Sequence, residues 1–507
     1  MDQPGPPVAT LPSRAKRRHA VSPDYTGLFQ ALRPETSLLF GALVALGLDL
    51  SLFRRHTSGE RLNLALWIGA LAVLAAGAHV WFGPHGPIFG GVLILDPLAV
   101  ATRLGVLALT LLTLGVATAA RTPRNPAEYV AIILFATTGF MLMAAAQQLL
   151  LAFLALELAS LSLYVLAGFD KTRPESAEAA LKYFLFGGMA AAFLLFGFSL
   201  IYGLTGSIEL LEIARQLTLQ GLSPLLVVAL VMVLVAFGFK AAAAPFHLWA
   251  PDVYEGAPTP SAAFIASASK LAGFTLFARL LWPGLRAAAG NVSTLHGAPG
   301  WLPAVAVISA VSLLLGNFAA LAQTNVRRLL AYSAIAHAGA LLLGVIAAGR
   351  SGPAPFFFYA ATYGLATVGA FGVLAVVERT GSCQKITDLA GLHRRSPLLA
   401  GCLAIFMLSL AGIPPLAGFF GKFTVFAAAL QLGGLAGPAG WLAFLAIALS
   451  ALALYYYLIV LKQALVAPPT ANASRIVVPT LARFTLMAAA GLIVLFGVAP
   501  SLLLDLF

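Results

Sequence analysis

Runs of about twenty apolar residues recur along this whole 507-residue chain, and nothing else restricts its fold so strongly. A helix of that length crosses about 30 Å of hydrocarbon. Fourteen such stretches are legible: 36–53, 62–82, 97–119, 129–146, 149–168, 183–203, 223–245, 260–278, 301–322, 329–349, 356–377, 398–430, 441–461 and 484–504. The joins between them are short, which leaves no room for a separate soluble domain. Only 9% of the residues are charged, whereas a soluble globule carries about 25%. The expected fold is an all-α polytopic membrane protein of about fourteen transmembrane helices, one domain over 36–507. Residues 1–35 are Pro-rich, polar and basic, and are expected to form a disordered tail. They lack the apolar core of roughly 7–15 residues that marks a signal peptide.

The net charge of +12 does not point to nucleic acid, because the basic residues are sorted by side. Seventeen Lys and Arg fall on the odd-numbered connections and four on the even ones. Cytoplasmic loops carry such an excess, so the odd connections are expected in the cytoplasm and both termini on the periplasmic side. Arg14, Lys16, Arg17, Arg18 and Arg33 of the tail run against this assignment. The two cysteines, Cys383 and Cys402, form no CxxC and no iron–sulfur ligand set, and the eight histidines lack metal-ligand spacing. No dinucleotide fingerprint and no nucleophile–base set is present. Any redox chemistry must belong to another chain, and a free-standing enzyme is the least favoured reading.

Two spans are interrupted. The seventh runs into GFKAAAAPFHLWAPDVYEGAPTP (238–260), and the twelfth contains SLAGIPPLAGFFGKF (409–423). Proline removes a backbone donor and blocks the carbonyl four residues back, so both helices must kink or unwind. Unwound backbone is tolerated at membrane depth only where it is buried in protein or lines a wet cavity. A single break would be an ordinary packing kink. These two lie five spans apart, so the broken helices cross in opposite directions. Spans 4–8 and 9–13 are therefore expected to be inverted repeats with discontinuous helices 7 and 12, the arrangement that marks an ion path.

Four ionisable residues interrupt the apolar spans: Glu157, Lys240, Lys270 and Lys422. A charge near the bilayer centre costs ~2.5–3.5 kcal/mol on insertion scales. Desolvation disfavours an ammonium and a neighbouring carboxylate favours it, so moving or protonating the carboxylate switches a lysine's affinity for its proton. Glu157 and Lys240 are the candidate pair. Lys270 and Lys422 would continue a water-bridged relay, with His337 in LLAYSAIAHAGALLLG between them. The competing reading of the pair is a static salt bridge. For Lys270 and Lys422 that reading is weaker, since one carboxylate serves three lysines. For His337 a structural hydrogen bond competes on equal terms. Lys182, at the mouth of span 6, either joins the relay or snorkels to the interface. Arg103 reads as structural, and His247, Asp252 and Glu255 as groups at a helix end or proton inlet.

At these residues the chain resembles the antiporter-like membrane subunits of respiratory complex I, the NADH–quinone oxidoreductase. The resemblance is carried by LKYFLFGGMAAAFLLFGFSLIYGLTGS (181–207), GFKAAAAPFHLWAPDVYEGAPTPSAAF (238–264), QTNVRRLLAYSAIAHAG (323–339) and RRSPLLAGCLAIFMLSLAGIPPLAGFFGKF (394–423). YYYLIVLK (455–462) adds a weaker match, and the whole covers about 36–504. DVYEGAPTP and AYSAIAHAG favour the N-type branch over the L and M types. The resemblance implies a central polar axis in which Glu157 is the fifth-helix glutamate. Lys240, Lys270 and Lys422 match the seventh-, eighth- and twelfth-helix lysines, and Lys182 a sixth-helix lysine. It implies no cofactor in this chain, with NADH, FMN, Fe–S clusters and quinone held by partner subunits of a hetero-oligomer. It further implies proton export across a bacterial inner membrane, coupled to electron transfer in those partners. A subunit of a cation/proton antiporter or of a hydrogenase-linked pump is the alternative. The basic tail departs from the family, whose members begin close to the first span.

Overall fold

The computed structural model describes residues 25–120, 123–294, 297–381, 383–435, 437–469 and 474–507. The first twenty-four residues of the expected tail lie outside the described residues. From Tyr25 the chain is helical, in a short helix Tyr25–Ala31 and then the first span, Arg33–Ser51. Helix thus occupies 25–31 and 33–35 of the segment expected to be a disordered tail. Arg33 starts a span rather than belonging to a tail.

Among the described residues, thirteen helices are long and apolar enough to cross a membrane. In order they are Arg33–Ser51, Ser58–Trp81, Pro97–Ala117, Pro126–Ala145, Leu149–Ala167, Pro174–Thr205, Pro224–Ala241, Thr259–Gly284, Trp301–Leu321, Val326–Ser351, Ala354–Glu378, Pro438–Leu465 and Thr480–Val498. Two shorter apolar helices, Pro397–Ala411 and Ala417–Gly433, lie between the eleventh and the last two. They are the halves of the expected twelfth span, so the chain has fourteen spans. Six of these helices start on proline, whose missing N–H falls where a helix has no acceptor to offer. Polar side chains also cap helix starts, two of them just ahead of such a proline: Asp96 accepts from Ala99 N, Ser223 from Leu226 N, and Asn325 from both Arg327 N and Arg328 N.

Both interrupted helices break where proline puts them. The first half of span 7 ends at Ala241, with Ala242 left-handed at φ 55°, and a second half, Trp249–Gly256, follows Pro245. The first half of span 12 ends at Ala411, with Gly412 left-handed at φ 90°, and the second half follows Pro415. A left-handed residue three positions before the proline therefore closes the first half in each repeat. Span 8 has a break that the sequence reading lacked: its helix stops at Ala266 and restarts at Ala268, around Ser267. Span 6 begins at Pro174, nine residues before the expected 183, which puts Lys182 in its third turn rather than before it.

Spans 8, 10 and 11 are buried over nearly their whole length and form the centre of the bundle, whereas spans 1, 2, 6, 9, 13 and 14 turn large apolar side chains outward. A small hairpin, Gly86–Ile88 with Leu93–Leu95, covers the connection between spans 2 and 3.

Candidate functional site

The central helices bring the charges of spans 5, 7, 8 and 12 into one buried row. Lys240, Lys270 and Lys422 are 5%, 2% and 8% exposed. Lys240 lies in the last turn of the first half of span 7, the carbonyl end of that helix, where a cation is favoured. Its ammonium interacts electrostatically with Glu157 but donates to Ser160 Oγ, at 3.4 Å, one turn along span 5 from that glutamate. It also stands 5.8 Å from the centre of the Phe140 ring. Glu157 Oε1 is buried and has no hydrogen-bond partner among the described residues. The pair is thus held apart rather than closed into a salt bridge.

Lys240 passes next to span 8 at Gly273, where a Cβ would lie 3.2 Å from its Cγ. Lys270 sits one turn back on the same helix. Between the two lysines a cavity of about 10 Å³ is lined by Phe237, Lys240, Ala241, Lys270, Gly273, Phe274 and Phe277. Lys270 donates to the carbonyl of Ala334 at 2.6 Å and lies 5.6 Å from the centre of the Tyr363 ring.

Ala334 is one turn before His337 on span 10, and the Tyr363 ring packs on the imidazole with centroids 4.8 Å apart. Both ring nitrogens are engaged: Nδ1 with the Tyr359 hydroxyl at 2.6 Å and Nε2 with the Tyr457 hydroxyl at 3.1 Å. Tyr457 also shares a hydrogen bond with Ser333. His337 interacts electrostatically with both Lys270 and Lys422. Tyr359 packs on Gly421, the residue before Lys422. Lys422 reaches back to donate to the Ala411 carbonyl at 2.8 Å, the end of the first half of span 12. The two repeats carry their lysines on opposite sides of the proline. Even so, Lys240 lies at the carbonyl end of its first half-helix and the Lys422 ammonium reaches the same end of its own.

Lys182 stands apart from this row. Its side chain is 37% exposed and bridges Glu178 and Asp252, each at 2.6 Å. Asp252 also takes Arg328 at 2.7 Å, which bonds Glu255 at 2.9 Å. Asn325 donates to Glu255 at 2.7 Å, and Arg327 donates to the Glu255 and Ala257 carbonyls and pairs with Glu378. The second half of span 7 is thereby tied to spans 6, 10 and 11 at their ends. His247 is buried, with no partner at Nδ1. Arg103 forms a buried pair with Glu35 at 2.5 Å, far from the row in sequence and chemistry, as a packing residue does. Arg279 is buried at the end of span 8 and pairs with Asp96.

Sequence reasoning that followed charge alone missed Ser160, Ser333, Tyr359, Tyr363 and Tyr457. One signal was available: Tyr359 and Tyr363 are four apart and share a face of span 11. Among the described residues no group of His, Cys, Asp and Glu is placed to hold a metal ion.

A family model described as NADH:quinone oxidoreductase/Mrp antiporter, TM, matches residues 146–450. Curated relatives include the NADH-quinone oxidoreductase subunit N 2 of Acidobacterium capsulatum, 48% identical over 95% of this chain and 98% of the relative. The NADH-quinone oxidoreductase subunit N of Chloroflexus aggregans is 42% identical over 81% of this chain and 83% of its own. Among solved structures, a chain of respiratory complex I from Thermus thermophilus with bound aureothin superposes with a TM-score of 0.76 at 35% identity, covering 93% of this chain and 98% of that one. A chain of the Mrp complex from Dietzia sp. DQ12-45-1b shares the fold, with a TM-score of 0.77 at 22% identity and 94% and 96% coverage.

Proposed function

Because this chain belongs to the membrane-subunit family of NADH:quinone oxidoreductases and Mrp antiporters, we propose that it is the N-type subunit of a bacterial respiratory complex I. In this reading it moves protons across the inner membrane while partner chains carry electrons from NADH to quinone. NADH, FMN, the Fe–S clusters and quinone belong to those partners, and neighbouring membrane subunits cover part of the outward apolar faces. The seventeen-to-four bias of basic residues supports cytoplasmic odd connections and periplasmic termini.

One observation carries the reading: three lysines and a histidine are buried in a row supplied with a single carboxylate. Lys270 rests on a neutral carbonyl and a ring face, and Lys422 on a neutral carbonyl, instead of on anions. Static bracing does not require that arrangement, because a buried charge is stabilised by a partner. Groups that take up and give up a proton do require it. When Glu157 and Lys240 approach, the lysine holds a proton; when they separate, it releases one toward Lys270, His337 and Lys422. Lys182 belongs to the ion-pair network that fixes the second half of span 7, with no step of its own in the row.

The test is proton export by the assembled complex in sealed vesicles. Lys240→Ala abolishes the export carried by this subunit. Export at the wild-type level refutes the relay.

A further inference from the structure

The acidic and basic groups alone do not make the row continuous. Between Lys270 and Lys422 stands an imidazole with a phenol on each nitrogen. We propose that Tyr359 is itself a proton carrier, passing protons between His337 and Lys422, and that Tyr457 positions the opposite face of the ring. This rests on the lysine-row reading above.

A neutral imidazole has one donor and one acceptor nitrogen, so its two phenols take opposite roles. Whichever tautomer is present, one tyrosine donates and the other accepts. One N–H bond of the Lys270 ammonium breaks as its proton passes to Nε2 and forms an N–H bond there, leaving Lys270 an amine. The Nδ1–H bond breaks toward the Tyr359 oxygen, and the Tyr359 O–H bond breaks as its own proton passes on to the amine of Lys422. One ring N–H is made and one broken, one phenol O–H is made and one broken, and the lysine ends as an ammonium. The phenol is neutral before and after, so no buried phenolate accumulates.

The placement of each phenol assigns its side. Tyr359 packs on Gly421, next to Lys422, and makes the shorter bond to the ring. Tyr457 is shared with Ser333, whose neighbour Ala334 accepts from Lys270. Tyr457 therefore holds Nε2 toward the Lys270 side and fixes which nitrogen faces Tyr359. Tyr359 thus joins a ring nitrogen of His337 to the helix that carries Lys422.

The experiment measures NADH oxidation and proton export in parallel for the assembled complex carrying Tyr359→Phe, Tyr457→Phe or Lys422→Ala. Phenylalanine removes one oxygen and keeps the ring. Tyr359→Phe is expected to remove the same share of export as Lys422→Ala, slowing that share on the order of a hundredfold, with NADH oxidation persisting. Tyr457→Phe is expected to lower export less than Tyr359→Phe does and to displace its pH profile, a change that loss of packing would not produce. Export is compared per assembled complex, so a lower yield does not blur the result. Wild-type export by Tyr359→Phe, with export lost in Lys422→Ala, overturns the inference and leaves the lysine row standing. An unmoved pH profile in Tyr457→Phe overturns its positioning role. Wild-type export by Lys422→Ala brings down the row itself, and this inference with it.

Discussion

Lys240 hydrogen-bonds Ser160 at 3.4 Å, while Glu157, one turn away on the same helix, keeps a buried oxygen without a partner. The serine therefore holds the lysine in reach of the carboxylate without neutralising it. A closed salt bridge would be a resting end point, whereas this geometry can move either way. Glu157→Gln, which keeps the shape and removes the charge, is expected to reduce export severely. Glu157→Asp keeps the charge on a shorter stem and is expected to retain part of it. Ser160→Ala removes one long hydrogen bond from the lysine ammonium, at the weak end of the about 1.5–3 kcal/mol that bonds to charged groups contribute, and should slow export by about tenfold. An effect of Ser160→Ala as deep as that of Glu157→Gln would make the hydroxyl, not the carboxylate, the lysine's working partner.

Arginine at Lys270 or Lys422 separates charge from proton exchange. A guanidinium stays protonated at every pH a protein survives. Lys270→Arg and Lys422→Arg are accordingly expected to abolish export as Lys240→Ala does, even in complexes that assemble. Export retained by the arginine variants and lost in the alanine ones would show that a fixed positive charge is all these positions supply.

Outside the row, the buried Glu35–Arg103 pair bears on assembly instead of pumping. The side chains are 6% and 3% exposed, and each leaves one polar atom unpaired. Removing one partner strands the other, which costs about 3–5 kcal/mol. Glu35→Ala and Arg103→Ala should each lower the yield and thermal midpoint of the complex. The double variant should lose less than the two together, because it strands neither charge. Export per assembled complex should stay at the wild-type level.

Much of this architecture was legible in the sequence because lipid leaves a chain few choices. Apolar length marked all fourteen spans, and the prolines at 245, 414 and 415 marked both breaks. The break at Ser267 was not legible, since serine carries no comparable steric signal. Boundaries failed where polar residues are helical: Pro174–Lys182 reads as a loop by hydropathy, yet its charges are satisfied along span 6 and by Asp252. At the site, charge identified the lysines and Glu157 because an ionised group in hydrocarbon needs a cause. It could not identify the tyrosines. A phenol in a membrane helix is an ordinary apolar packer until something shows what its oxygen touches, and the partners of Tyr359 and Tyr457 lie 22 and 120 residues away.

Gly421 offers a test of that geometry that leaves every titratable group in place. A Cβ added there would lie 2.7 Å from Cδ2 of Tyr359 and 3.2 Å from its Cα. Carbon atoms settle at about 3.5–4.0 Å, and a Cα on a buried helix cannot swing aside as a side-chain tip can. Gly421→Ala must therefore push spans 11 and 12 apart, and the 2.6 Å bond between Tyr359 and His337 lengthens or breaks. The expected outcome is a complex that oxidises NADH but has lost much of the export carried by this subunit. Gly401→Ala is the matched control: same span, same change, and nothing within 4 Å of the new methyl. It should export as the wild type does. If Gly421→Ala also pumps normally, then a span can shift against Tyr359 without consequence. The contact between Tyr359 and His337 would then be a packing feature, and protons would have to reach Lys422 by another way.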